Sequence, residues 1–114
     1  MSAPVFQQLS ADLCVAGQLD LSAMAWAAQA GFKSVINNRP DFEGGPDQPT
    51  SAAMRSAAHA VGLRYAYLPV APSVQTPQEI ARFAELLNEL PKPVLAYCRS
   101  GTRSGKLYHA AIGA

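Results

Sequence analysis

The chain has little excess charge of either sign, with nine Lys and Arg residues against eight Asp and Glu residues and a formal net charge of +1 over 114 residues. So small a charge creates no field that would attract nucleic acid or an anionic membrane. The first ten residues contain neither a basic start nor a long apolar run. We therefore predict no signal peptide and no membrane span, and we expect a cytoplasmic protein.

Cysteine and histidine are also scarce, with two of each. Cys14 and Cys98 lie too far apart for a zinc spacing, and His59 and His109 lack a second ligand at metal spacing. We expect no metal and no cofactor, a core position for Cys14, and thiols kept reduced. No repeat or linker divides the sequence, which predicts one domain over residues 1–114.

Short apolar runs alternate with segments of helical periodicity along the chain. We predict strands at residues 13–16, 33–37, 64–68 and 94–97, and helices at residues 21–30, 51–61, 76–90 and 103–112. This alternation predicts an α/β fold in which helices flank a mostly parallel central sheet. Ligands of such sheets bind beyond the carboxyl ends of the strands, and Cys98 follows one of those ends.

The seven residues that begin at Cys98 form the candidate site. A loop between a strand and a helix can point its N–H groups at one place, and the helix dipole adds positive charge there. A thiol in that position, beside arginines, has a lowered pKa and acts as a nucleophile. We predict Cys98 and Arg103 as the catalytic pair, with substrate bound by the rest of the loop: Arg99, Ser100, Gly101, Thr102 and Ser104.

The length of this loop favours one anion chemistry over another. Four residues separate Cys98 from Arg103, whereas cysteine phosphatases have five, and Tyr97 stands where those enzymes usually have histidine. The shorter loop resembles the active-site loop of single-domain rhodaneses. That resemblance implies sulfur transfer, with the arginines holding the anionic donor.

A wider resemblance extends over residues 9–108. Gly17-Gln18-Leu19, the Asn37-Asn38-Arg39-Pro40-Asp41 segment, Tyr67-Leu68-Pro69-Val70 and the cysteine loop together resemble the beta-lactamase-hydrolase-like protein, phosphatase-like domain family. The resemblance implies a fold like that of the dual-specificity phosphatases. It also implies a metallo-beta-lactamase-type persulfide dioxygenase as a partner or fused neighbour.

Our main interpretation is a thiosulfate or persulfide sulfurtransferase. The Cys98 thiolate takes the sulfane sulfur of a small donor and passes it, as a persulfide, to a thiol such as glutathione. A non-catalytic persulfide carrier for the dioxygenase is one alternative.

The other alternative is a cysteine phosphatase of the protein-tyrosine or dual-specificity type. It requires a general acid, which we seek in the loop of residues 39–49 because that loop is long and polar. The candidate acids are Asp41, Glu43 and Asp47, and the further candidate site residues of this loop are Arg39 and Asp41.

Overall fold

A five-stranded sheet forms the centre of the computed structural model, which describes residues 4–113. The strands are β1 (Phe6–Ser10), β2 (Leu13–Ala16), β3 (Ser34–Asn37), β4 (Arg64–Tyr67) and β5 (Val94–Tyr97). Their order in the sheet is β1-β2-β5-β3-β4; β1 pairs with β2 antiparallel, and all other neighbours are parallel. The helices are α1 (Ala23–Gln29), α2 (Ser51–Ala60), α3 (Pro77–Glu89) and α4 (Thr102–Ala111).

The two faces of the sheet are buried by different helices. Alternate residues of a strand point to opposite faces, so Leu95 and Tyr97 of β5 join one core and Val94 and Ala96 join the other. The first core includes Met24 of α1 and Met54 of α2, and the second includes Phe83 of α3 and Leu107 of α4. Burial on both faces explains why β5 is apolar throughout.

The register of the parallel strands brings their carboxyl ends together. Ala16 of β2 and Asn37 of β3 both pair with Tyr97, the last residue of β5. The segments that follow these three strands therefore start side by side at one edge of the sheet. Cys98 begins the segment after β5, which lies between the segments that follow β2 and β3.

Helix α3 begins as its sequence predicts. The Thr76 hydroxyl accepts a hydrogen bond from the Glu79 N–H at 3.1 Å, and the Glu79 carboxylate accepts one from the Thr76 N–H at 2.8 Å. This reciprocal pair satisfies two N–H groups at the start of the helix. Helix α2 is capped by the Thr50 hydroxyl, which accepts from the Ala53 N–H at 3.2 Å.

The predicted α/β class, the mostly parallel sheet and the four helices are confirmed. Strand β1 was not predicted, because the polar Gln7 and Gln8 interrupt its apolar pattern and its residues are mostly exposed at the sheet edge. Helix α4 starts at Thr102, one residue before the predicted start. Over residues 4–113, no helix has the length and hydropathy to cross a membrane.

Candidate active site

Cys98 lies at the edge of the sheet where the parallel strands end. Its N–H donates to the carbonyl of Ala16 at 3.3 Å, and the Asn38 N–H donates to the carbonyl of Tyr97 at 2.8 Å. Cys98 is therefore bonded to β2, and the preceding Tyr97 is bonded to the residue after β3. Only 1% of the surface of Cys98 is exposed. This anchoring fixes the thiol at the floor of the loop that follows.

The loop turns sharply at Gly101. Its φ of 92° lies in the left-handed region, and its N–H donates to the Cys98 sulfur at 3.1 Å. A Cβ at this position would lie 3.4 Å from the carbonyl carbon and oxygen of Ala16. The positive φ is therefore what requires glycine here, since such a Cβ contact is an ordinary one. Helix α4 starts immediately afterwards, with its N-terminal end beside the sulfur.

The environment of the Cys98 thiol favours its ionised form. Burial by itself would raise the pKa of Cys98, but the N–H groups of Ser104, Ser100 and Gly101 and the nearby Ser104 hydroxyl lower it below the usual value for cysteine. The thiol of Cys14 has no such donors, and burial raises its pKa. Only one of the two cysteines is therefore prepared to act as a nucleophile.

Ser104 connects the sulfur to the neighbouring strand. Its hydroxyl donates to the Asn38 side-chain oxygen at 2.8 Å, and the Asn38 amide donates to the carbonyl of Leu68 at 3.0 Å. The hydroxyl has one proton and two acceptors, Asn38 and the Cys98 sulfur. In this structure the hydroxyl donates to Asn38. Donation to the Cys98 thiolate therefore requires the hydroxyl proton to rotate toward the sulfur.

We expect Ser104→Ala to raise the pKa of Cys98, because the substitution removes a donor that stabilises the thiolate. The rate of alkylation by iodoacetamide, measured against pH, should show its midpoint moved to higher pH. Ser73→Ala, on the exposed loop before α3, is the matched control. An unchanged midpoint in Ser104→Ala would show that the Ser104 hydroxyl hydrogen-bonds to Asn38 and does not stabilise the thiolate.

Arg103 is held in place by a carboxylate from a distant loop. The guanidinium donates to both Glu43 oxygens, at 3.1 and 3.0 Å, and to the carbonyl of Val70 at 3.0 Å. Arg103 is 6% exposed. Burial opposes ionisation of the Glu43 carboxyl, but the hydrogen bonds from Arg103 and Arg39 outweigh it and lower the pKa. Glu43 therefore stays ionised and orients the arginine.

Arg39 supports the same carboxylate from the other side. Its Nε donates to Glu43 at 3.0 Å and one of its terminal nitrogens donates to the Gln18 side chain at 3.1 Å. A Cβ on Gly44 would lie 2.7 Å from the Arg39 guanidinium, so this loop packs closely around it. The arrangement is a chain of three charged groups, Arg39, Glu43 and Arg103, in which Arg39 contacts Glu43 and does not line the pocket.

An open pocket of about 190 Å³ lies above the sulfur. Its walls come from the cysteine loop, from the first turn and a half of α4 and from the connection between β4 and α3. Arginine and lysine supply all of its charged side chains. The lining residues are Pro72, Cys98, Arg99, Ser100, Thr102, Arg103 and Lys106.

The structure brings most of the residues predicted for the site together. Five line the pocket, and Gly101 and Ser104 contact the sulfur from below. Arg39 and Asp41 lie outside the lining, and the Asp41 carboxylate accepts from the Ser51 N–H at 2.7 Å. The pocket residues not singled out from the sequence are Pro72 and Lys106, although Lys106 follows Arg103 by one helical turn, a spacing that could have indicated it.

The comparisons with known proteins agree on one relationship. The sequence model described as "Beta-lactamase hydrolase-like protein, phosphatase-like domain" matches residues 5–113. A Beta-lactamase hydrolase-like protein of Agrobacterium fabrum is 40% identical over 96 residues, which are 84% of this chain and 22% of that protein. The chain thus spans about a fifth of the length of this curated relative.

Solved structures show the same relationship. The crystal structure of a candidate phosphatase of Neisseria meningitidis superimposes with a TM-score of 0.83 and 32% identity, covering 90% of this chain and 72% of that one. A candidate phosphatase of Shewanella putrefaciens gives a TM-score of 0.80 at 24% identity, covering 96% of this chain and 70% of that one. The latter identity supports the fold alone.

The expectation of a rhodanese-type sulfurtransferase is wrong. The matching family is described as phosphatase-like, and the structural neighbour of Neisseria meningitidis, at 32% identity, is described as a candidate phosphatase. The physical reason is that a cradle of N–H groups and arginine binds tetrahedral oxyanions of either kind, so a loop shorter by one residue does not select sulfur over phosphorus. The chain belongs to the beta-lactamase hydrolase-like protein, phosphatase-like domain family.

Proposed function

We propose that this domain is a cysteine-dependent phosphatase. The observation that carries the proposal is the pairing of an activated Cys98 thiol with Arg103, which the ionised Glu43 holds at the wall of the same pocket. The family relationship supports the same chemistry. A phosphoryl group is a tetrahedral anion, and this pocket offers N–H donors, cations and a nucleophile.

The reaction proceeds in two steps. The Cys98 thiolate attacks phosphorus, a sulfur–phosphorus bond forms, and the phosphorus–oxygen bond to the leaving group breaks with its electron pair on that oxygen. Water then attacks the phosphocysteine, the thiolate departs, and dihydrogen phosphate is released. Loop N–H groups and the Arg103 guanidinium stabilise the negative charge on the phosphoryl oxygens in both transition states.

Substitution of the nucleophile tests this proposal. We expect Cys98→Ser to lower kcat for hydrolysis of 4-nitrophenyl phosphate by at least about 1,000-fold, since loss of a covalent nucleophile removes the first step. Cys14→Ser is the matched control, because Cys14 lies in the core beside α1 rather than in the pocket. Hydrolysis by Cys98→Ser at the wild-type rate would overturn the proposal.

A further inference from the structure

The pocket around Cys98 contains no carboxyl or imidazole group that could protonate a leaving group. Among its lining residues there is no Asp, Glu or His. The connection of residues 68–76, which overhangs the pocket through Pro72, is likewise free of these residue types. A phosphatase that releases an alcohol or a phenol normally needs such an acid, because an alkoxide is a poor leaving group.

The carboxylates of the loop of residues 39–49 do not supply this acid. Glu43 is bonded to Arg39 and Arg103 and its pKa is lowered, so it is ionised when the enzyme works. Asp41 accepts from the Ser51 N–H at the start of α2. None of the three carboxylates, Asp41, Glu43 and Asp47, lines the pocket. The expected general acid is therefore absent from the part of the site that the structure describes.

Two cationic side chains lie where the pocket opens to solvent. Arg99 and Lys106 are exposed at the rim of the pocket. Over residues 4–113, neither forms an ion pair with a carboxylate. Lys106 also lines an adjoining groove of about 430 Å³, which Ser100 and Thr102 share with the pocket. A leaving group that departs from phosphorus toward this groove passes the Lys106 ammonium.

We propose that the substrates of this site are phosphoanhydrides, in which the phosphoryl group is joined to a second phosphate. The proposal rests on the phosphatase function above and names its substrate class. A leaving phosphate monoester has a second pKa of about 6 and departs as a dianion, whereas a phenol has a pKa of about 10 and needs a proton. Lys106 and Arg99 provide positive charge for the departing dianion.

The chemistry balances without an acid. The Cys98 thiolate forms the bond to the terminal phosphorus, the bridging oxygen keeps the electron pair of the broken bond, and the second phosphate leaves unprotonated. Water then releases the phosphoryl group from sulfur as dihydrogen phosphate. An acyl phosphate shares the low basicity of the leaving group but gives a carboxylate of single charge, which makes weaker use of the two rim cations.

Four probes separate these features: phenyl phosphate, 4-nitrophenyl phosphate, methyl diphosphate and acetyl phosphate. Without a general acid, phenyl phosphate should have a kcat/KM at least about 100-fold below that of 4-nitrophenyl phosphate, whose leaving phenol is more acidic. Methyl diphosphate should be hydrolysed with a kcat/KM at least equal to that of 4-nitrophenyl phosphate. Acetyl phosphate, measured under the same conditions, should have a lower kcat/KM than methyl diphosphate.

The ratio of kcat/KM for methyl diphosphate to that for 4-nitrophenyl phosphate tests the role of Lys106. We expect Lys106→Met to lower this ratio about tenfold, since the lysine stabilises a leaving phosphate of two negative charges more than a singly charged 4-nitrophenolate. His109→Asn, in the same groove, and Lys33→Met, before β3, should leave the ratio unchanged. A fall of kcat/KM for phenyl phosphate in His109→Asn, with little change for 4-nitrophenyl phosphate, would identify a proton donor and contradict the inference.

The outcomes distinguish this inference from the proposed function. If 4-nitrophenyl phosphate is hydrolysed through Cys98 but methyl diphosphate is not, or if phenyl phosphate is hydrolysed as fast, the substrate class is wrong and the phosphatase function stands. If acetyl phosphate is preferred, the two rim cations do not select a dianion and the inference fails. If no probe is hydrolysed in a Cys98-dependent reaction, the phosphatase function itself is wrong.

Discussion

Arg103→Lys is expected to lower kcat/KM for 4-nitrophenyl phosphate by about 100- to 1,000-fold, the usual cost of removing a donor aimed at developing negative charge. Lysine keeps the positive charge but cannot reproduce a planar fork that donates to both Glu43 oxygens and to the carbonyl of Val70. Its ammonium would therefore be poorly placed against the phosphoryl oxygens. Steady-state kinetics on the purified variant measure the effect.

Arg82→Lys is the matched control, because Arg82 lies exposed on α3 and pairs only with the exposed Glu85 and Glu89. We expect it to keep wild-type kinetics and stability. The thermal unfolding curve of each variant shows whether the fold is retained. A kcat/KM for Arg103→Lys within a few-fold of the wild type would show that the arginine is held for structural reasons alone.

Glu43→Gln should weaken both catalysis and stability. The substitution leaves the buried Arg103 guanidinium without its charged partner, and an arginine released from a bidentate pair no longer has one fixed orientation. We expect kcat/KM to fall about 10- to 100-fold, as for other groups that orient a functional side chain. Loss of hydrogen bonds to charged groups should lower the free energy of unfolding by about 1–3 kcal/mol.

Urea denaturation and the kinetics of 4-nitrophenyl phosphate hydrolysis measure these two effects together. Asp47→Asn, which removes a charge from the same loop at an exposed position, should change neither. If Glu43 were instead a general acid, Glu43→Gln would slow phenyl phosphate hydrolysis far more than 4-nitrophenyl phosphate hydrolysis. Such selective slowing, with unchanged stability, would contradict the positioning role.

The sequence predicted those features that depend on neighbouring residues. The strand before Cys98 is apolar because both faces of β5 are buried, and the cap of α3 is formed by residues three positions apart. Strand β1 was missed because an exposed edge strand does not require buried apolar residues to alternate with exposed polar ones. It gains its hydrogen bonds from β2.

The contacts that determine the chemistry are long-range, and the sequence could not show them. Arg103 meets Glu43 across 60 positions, and Ser104 meets Asn38 across 66. Glu43 was considered as an acid because its partner was unknown. The choice of sulfur transfer failed for a related reason, since it relied on the length of one loop and not on the groups that other loops bring to it.

The most direct test of the account is to trap the covalent intermediate. The enzyme is mixed with 4-nitrophenyl phosphate, denatured rapidly at alkaline pH during turnover, and examined by intact-mass spectrometry and peptide mapping. We expect one phosphoryl group per chain, attached to Cys98 and absent from Cys98→Ser. Turnover with no phosphoryl group on Cys98, or with the group on another residue, would contradict the mechanism.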